Sequence, residues 1–116
     1  MEDINRVTIV GRAAQDADLR YTNGGTAICK VPVAINRRKK VGDEWTDEAS
    51  YIKVQIWGKT AEGLAPKLTK GTQFAVDGQL RQDRWEQDGE SRSEIVVVAS
   101  VVELLGKKRE EQNNGW

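Results

Sequence analysis

Two stretches of the 116-residue chain set flat rings, cations and amides at every second position. In Tyr51-Ile52-Lys53-Val54-Gln55-Ile56-Trp57 the even-numbered residues are aliphatic, while Tyr51, Lys53, Gln55 and Trp57 take the odd ones. Successive side chains of an extended chain point to opposite faces, so the aliphatic set belongs to a core and the other set faces away from it. The pattern returns further on, where Phe74, Val76, Gly78 and Leu80 are expected inside. That leaves Gln79, Arg81, Asp83 and Trp85 outside, with Arg84 on the other side of the ribbon. Three rings interleaved with Lys53, Arg81 and Arg84 suit one chemistry in particular. A π-face stacks on any base and a cation tracks phosphates, so the set fits single-stranded nucleic acid held without reading its sequence. Stacking is worth about 1–3 kcal/mol per base, so three rings would supply about 3–9 kcal/mol before ordering costs. Neutralising about six phosphates would give a salt slope of about −4, hence roughly two to three decades of affinity between about 50 and 200 mM salt.

Each feature also has a plainer use. Tyr51 and Trp57 would equally cover a second small core or an oligomer contact, and Trp85 would clamp its hairpin across the sheet. Arg37-Arg38-Lys39-Lys40 is the densest basic run, and it would equally be a solvated hairpin tip.

Covalent chemistry is poorly provided for. The chain has no histidine, which removes the commonest general base and the commonest metal ligand. Its single cysteine, Cys29, falls among aliphatic residues, allows no internal disulfide or cysteine-rich zinc site, and suits a reducing cytosol. Gly58-Lys59-Thr60 matches the end of a phosphate-binding loop, but the required glycine five residues earlier is Lys53, inside a strand. Asp43, Glu44, Asp47 and Glu48 cluster in an exposed hairpin with nothing to raise a pKa or exclude water. No catalytic residue, metal site or cofactor is therefore expected. No apolar run approaches the roughly 20 residues of a membrane span, and Met1-Glu2-Asp3 does not open a signal peptide, so a cytoplasmic protein is expected.

Eighteen basic and eighteen acidic residues sum to zero, which at first argues against a polyanionic partner. The zero is a cancellation between blocks. Residues 1–40 carry a net +4, 41–50 a net −4, 51–84 a net +3 and 85–95 a net −3. If the acids of 43–48 and 86–94 lie off the ring-bearing face, they keep the free protein soluble without opposing an anionic ligand.

The elements that must position these residues follow from turn signals. A first strand opens at about Asp3 and reaches Gly11, a bulge or close backbone approach. After the Asn23-Gly24-Gly25 turn, Ala27, Cys29, Val31, Val33 and Ile35 alternate along a long second strand, with Pro32 marking an edge or a bulge. Val41–Glu44 turns the chain toward a third strand over Tyr51–Trp57. Ala61, Leu64, Ala65 and Leu68 mark a helix over Lys59–Leu68, closed by Lys70-Gly71. A fourth strand runs from Phe74 to Trp85, Asp88-Gly89 is a hairpin turn, and Ser93–Leu105 is the last strand. Five strands with one short helix between the third and fourth predict an all-β, five-stranded Greek-key OB-fold barrel. The barrel would occupy residues 1–106, with 107–116 a short polar, disordered tail.

With these residues in hand, the chain resembles bacterial single-stranded DNA-binding proteins over about residues 4–106. The likeness rests on Asn5–Gly11, Asp18–Thr22, Gly25-Thr26-Ala27, Trp57-Gly58-Lys59-Thr60-Ala61-Glu62, Lys70–Gln73, Gly78–Arg81 and Trp85, in that order. It implies an OB fold, usually a homotetramer, that coats single-stranded DNA in replication, recombination and repair. The family's stacking aromatics fall on Tyr51, Trp57 and Trp85, and its phosphate-contacting cations on Arg20, Lys53, Lys59, Lys70, Arg81 and Arg84. The first strand, about Asn5–Gly11, would pair across a dimer interface. Many relatives carry a further aromatic where this chain has Arg37-Arg38-Lys39-Lys40; the nearest ring is Trp45, and charge partly replaces stacking there. Ile52 stands where histidine is common. The family often ends in an acidic tip closing with Pro-Phe, whereas this sequence ends Glu110–Trp116. That reads as a short form and puts tail-mediated recruitment of repair enzymes in doubt. Two other readings stand beside DNA coating: an OB-fold protein-interaction module such as a primosome-assembly subunit, and a single-stranded RNA binder.

Overall fold

The computed structural model describes residues 1–106 and curls them into a closed sheet. Strand β1 spans Val7–Ala13, β2 Asp18–Tyr21, β3 Ala27–Val41, β4 Glu44–Trp57, β5 Gln73–Gln87 and β6 Glu90–Gly106. Helix α1 (Lys59–Leu64) and a 3-10 turn over Ala65–Lys67 carry the chain from β4 to β5. Hydrogen-bonded neighbours run β1-β5-β6-β4-β3-β2, and a further β1–β3 pairing closes the ring. Five strands, β1, β3, β4, β5 and β6, thus form the expected OB barrel, and the unpredicted β2 is a short extra strand against β3. The predicted tail, 107–116, lies outside the described residues.

Alternation makes the core. Val31 and Val33 of β3, Val54 and Ile56 of β4, Phe74 and Val76 of β5 and Val97 of β6 are fully buried, and Cys29 packs among them as a small apolar residue. Ala61 of α1 and Leu68 complete this core. Closing so small a ring brings backbones together, and two glycines make that possible. A Cβ on Gly11 would lie 2.6 Å from the Ala34 carbonyl oxygen, and one on Gly78 would lie 2.0 Å from that of Val98. Gly78 also sits at a register shift between β5 and β6, so it is the site of a bulge.

Five expectations need correction. β1 begins at Val7, because Asn5 acts through its side chain: its amide donates to the Leu80 carbonyl and accepts from the Leu80 N–H, both at 2.9 Å. β4 begins at Glu44 rather than near Tyr51, because every residue of Glu44–Ser50 finds a partner on β3 across the tight Gly42-Asp43 turn. The helix stops at Leu64, since Pro66 has no N–H to continue it; Gly71 donates to the Ala13 carbonyl and closes no helix. Leu80 is exposed, because β5 and β6 run on past the barrel mouth as a projecting hairpin. Pro32 is also not at an edge. Its carbonyl accepts from Ala14 N where β3 passes from pairing with β2 to pairing with β1, so its missing donor falls in the break between them. Asp88 and Gly89 both have positive φ, as a type I′ hairpin turn requires.

Candidate nucleic-acid interface

Because β3 and β4 pair residue for residue from Ile28/Trp57 to Val41/Glu44, their outward side chains form one continuous face. Along β4 that face carries Trp45, Tyr51 and Trp57, one ring every six residues, or about 20 Å apart at roughly 3.3 Å per residue. Opposite these rings on β3 stand Lys40, Ala34 and Ile28, with Arg38, Pro32 and Lys30 between them. The small and flat neighbours leave Tyr51 70% exposed. Arg20 of β2 pairs with Ile28, which in turn pairs with Trp57, so it lies on this face two strands from the ring. By the same register Arg12 of β1 stands beside Ala34 and hence in the row of Tyr51.

The β5–β6 hairpin folds toward this surface the face that carries Arg81 and Asp83 of β5 and Glu94 and Val96 of β6. Between them lies a groove of about 540 Å³ lined by Lys30, Lys53, Gln55, Asp83, Arg84, Trp85, Glu94 and Val96. Its floor is a hydrogen-bonded cluster. The Gln55 amide donates to Asp83 Oδ2 at 2.6 Å, Arg81 Nε donates to Asp83 Oδ1 at 2.9 Å, and Arg81 also donates to the Gln55 side-chain oxygen. Gln55 thus faces away from the barrel core as its alternation requires, but it is not exposed: beneath Asp83 and Arg81 it is only 3% accessible. Burial pushes the Asp83 carboxyl up, but hydrogen bonds from Arg81 and Gln55, with the Arg81 and Lys30 charges, leave it below the usual range.

The three expected rings are unequally presented. Tyr51 is open, Trp85 is 42% exposed at the groove wall, and Trp57 is only half-buried rather than exposed. Arg81 sits 5.6 Å from the Trp57 ring centroid, and the indole N–H is buried with no partner among the described residues. At the hairpin tip Trp45 is exposed and carries Arg38 and Lys40 at 5.3 and 5.9 Å from its centroid, so ring and cations form one platform.

The remaining cations divide sharply. Arg37 and Lys39 point to the opposite face of the hairpin, where both pair with Glu48; Arg37 Nε donates to Glu48 at 3.0 Å. The Arg37 and Lys39 hydrogen bonds hold the Glu48 carboxyl below its ordinary range. Lys53 pairs with Glu94 at 2.9 Å, and Arg20 with Asp18 at 2.9 Å. Arg84 donates to Gln82 on its own strand and lines the groove. Lys59 opens α1 directly after Trp57-Gly58. Lys70 is exposed, and its N–H donates to Asp16 in the β1–β2 loop, at the junction with β1 rather than in the groove. The acids therefore do not stand clear of the ring-bearing region: Asp47 faces Arg38 across the hairpin, and Glu94 lies in the groove. Lys30 and Arg12 were not singled out from the sequence. Lys30 was legible as an outward residue of an alternating strand, whereas Arg12 needed the β1–β3 pairing.

Among the described residues no three potential ligands gather to hold a metal, and no helix is long and apolar enough to cross a membrane. The family model described as the single-strand binding protein family matches residues 4–105. A single-stranded DNA-binding protein of Treponema pallidum is 49% identical over 106 residues, covering 91% of this chain and 60% of that protein. A single-stranded DNA-binding protein 1 of Synechocystis is 36% identical, covering 92% of this chain and 88% of its own. A crystal structure of a deletion mutant of the single-stranded DNA binding protein from Thermus aquaticus superposes with a TM-score of 0.78 at 31% identity, covering 91% of this chain and 52% of that one. A Plasmodium falciparum SSB in complex with single-stranded DNA shares the fold at the same TM-score, 0.78, with 19% identity over 90% of this chain and 97% of its own. This chain thus spans little more than half the length of its Treponema and Thermus relatives. On the extent of the family match and these identities, the chain belongs to the single-strand binding protein family.

Proposed function

We propose that this chain binds single-stranded DNA without reading its sequence, by stacking bases on Trp45, Tyr51, Trp57 and Trp85 and holding phosphates with the cations between them. The observation that carries this reading is the alignment of three rings at six-residue intervals on one face of β4, flanked by a groove with a fourth ring on its wall. Lys30, Lys53 and Arg84 at the groove, Arg81 over Trp57 with Arg20 and Lys59 on the same side of the barrel, and Arg38 and Lys40 at the hairpin tip are the phosphate ligands nearest those rings. Arg37, Lys39 and Lys70 lie farther from the ring-bearing face and would hold strand that wraps beyond it. The names of the Treponema and Synechocystis relatives support the same ligand.

Binding is the whole of the activity in this reading. A chain without histidine, with its one thiol buried, has no group poised for covalent chemistry. The protein would serve replication, recombination and repair in the cytoplasm, wherever strands are transiently unpaired. Its assembly would be a homotetramer begun by first-strand pairing. β1 bonds β5 along Val7–Arg12, but on its other side it meets β3 only at Arg12 and Ala13, leaving the Val7–Gly11 edge open to a second copy.

Titration with poly(dT) tests the reading through tryptophan fluorescence. Strong quenching is expected, with weaker quenching and affinity in Trp57→Ala and Trp85→Ala. If both variants bind as tightly as the parent at equal salt, base stacking on these rings is wrong. Equal-length DNA and RNA oligomers compared in the same assay decide between the two nucleic acids.

A further inference from the structure

We propose that Glu94 is an internal competitor for the phosphate-binding cation Lys53, and so sets the affinity and salt dependence of strand binding. The inference rests on the proposed function. Lys53 Nζ and Glu94 Oε2 are 2.9 Å apart inside the groove, so the cation already holds an anionic oxygen where a phosphate would arrive. Glu94 stands directly opposite Asp83 in the β5–β6 ladder, a like-charge pair that ordinarily destabilises a sheet. Asp83 is locked by Gln55 and Arg81 and cannot leave. Glu94 makes no side-chain hydrogen bond besides its ion pair among the described residues, so rotation about its own side chain releases Lys53. A phosphate that takes Lys53 therefore leaves Glu94 beside Asp83 with its compensating charge withdrawn. Solvent cations must return to the groove as others leave the DNA, which lowers both the affinity and the net release of ions. The other charged groups facing Glu94 are Arg84 and Lys30 on the groove walls. The half-exposed pair has little Coulomb energy of its own, so competition tunes binding and does not abolish it.

Glu94→Gln keeps the side chain's shape and removes its charge. With oligo(dT) at about 50 mM salt, the variant is expected to bind about 2- to 10-fold tighter, with a salt slope steeper by up to about 0.7. Glu2→Gln removes the same charge from the exposed stretch before β1 and should leave both quantities unchanged. In a Lys53→Gln background the gain from Glu94→Gln should largely vanish. Equal or weaker binding by Glu94→Gln, an equal gain from Glu2→Gln, or an undiminished gain without Lys53 would each overturn the competition. If neither parent nor Glu94→Gln binds oligo(dT), the proposed function itself fails and the competition with it. Binding by Glu94→Gln alone would be its strongest support.

Discussion

Replacing Tyr51 by alanine isolates the stacking contribution better than any other change at the interface. Tyr51 is 70% exposed and stands opposite the small Ala34 in the β3–β4 ladder, so the fold loses little when the ring is removed. Exposed substitutions away from caps and networks change stability by about 0.5 kcal/mol or less. A base stacked on the ring is worth about 1–3 kcal/mol, which at 25 °C is about a 5- to 150-fold loss of affinity. The loss carries no charge, so the plot of log affinity against log salt should move down in parallel. A cation removed from the same face would instead reduce the slope by about 0.7 for each phosphate it had neutralised. Titrations of oligo(dT) at four salt concentrations, read by tryptophan quenching, separate the two, and thermal unfolding controls for stability. Tyr51→Phe should retain most of the affinity, because the flat face survives. Binding within twofold of the parent would refute the stacking role, and a large drop in melting temperature would show that the ring supports packing instead.

Two further outcomes test the frame around the site. The Glu48 carboxyl is held low by Arg37 and Lys39, so its contribution to stability is present above its unfolded pKa and is lost as pH falls through the lower folded value. Melting curves of the parent and Glu48→Gln should therefore differ near neutral pH and converge in acid; a constant difference would show that the pair contributes nothing. Gly78→Ala drives a Cβ to 2.0 Å from the Val98 carbonyl oxygen, a backbone atom that cannot swing aside. It should cost about 3 kcal/mol or more in urea unfolding, and an unchanged midpoint would mean that the bulge can shift freely.

Much of the barrel was legible because burial on one face of a strand leaves a period-two trace. Val31 and Val33, Val54 and Ile56, and Phe74 and Val76 announced their strands and their core face before any pairing was known. The short β2 carried too few residues to show a period, and the outer half of β4 sets only Trp45 and Ala49 among polar residues, so no aliphatic alternation marked Glu44–Ser50 as strand. The same period placed Tyr51, Lys53, Trp57, Arg81 and Trp85 away from the core, which suffices to nominate them as a site. It overstated the freedom of Trp57 and Gln55. Alternation says which side of its own sheet a residue occupies and nothing about what another strand lays over it. Arg81 and Asp83, supplied by the projecting hairpin, cover both.

The amino-acid order by itself therefore determined which groups the chain can offer a ligand: rings and cations are properties of residues, and they survive any arrangement. Which charges are available to that ligand was decided only by the tertiary structure. The total of zero and the alternating blocks were visible in the sequence, but ion pairing depends on register. Register set Glu48 across from Arg37 and carried Glu94 onto Lys53. Coulomb attraction is short-ranged in salt water, so acids expected to stand apart from the groove oppose or compete only where the fold has placed them within a few ångströms of its cations.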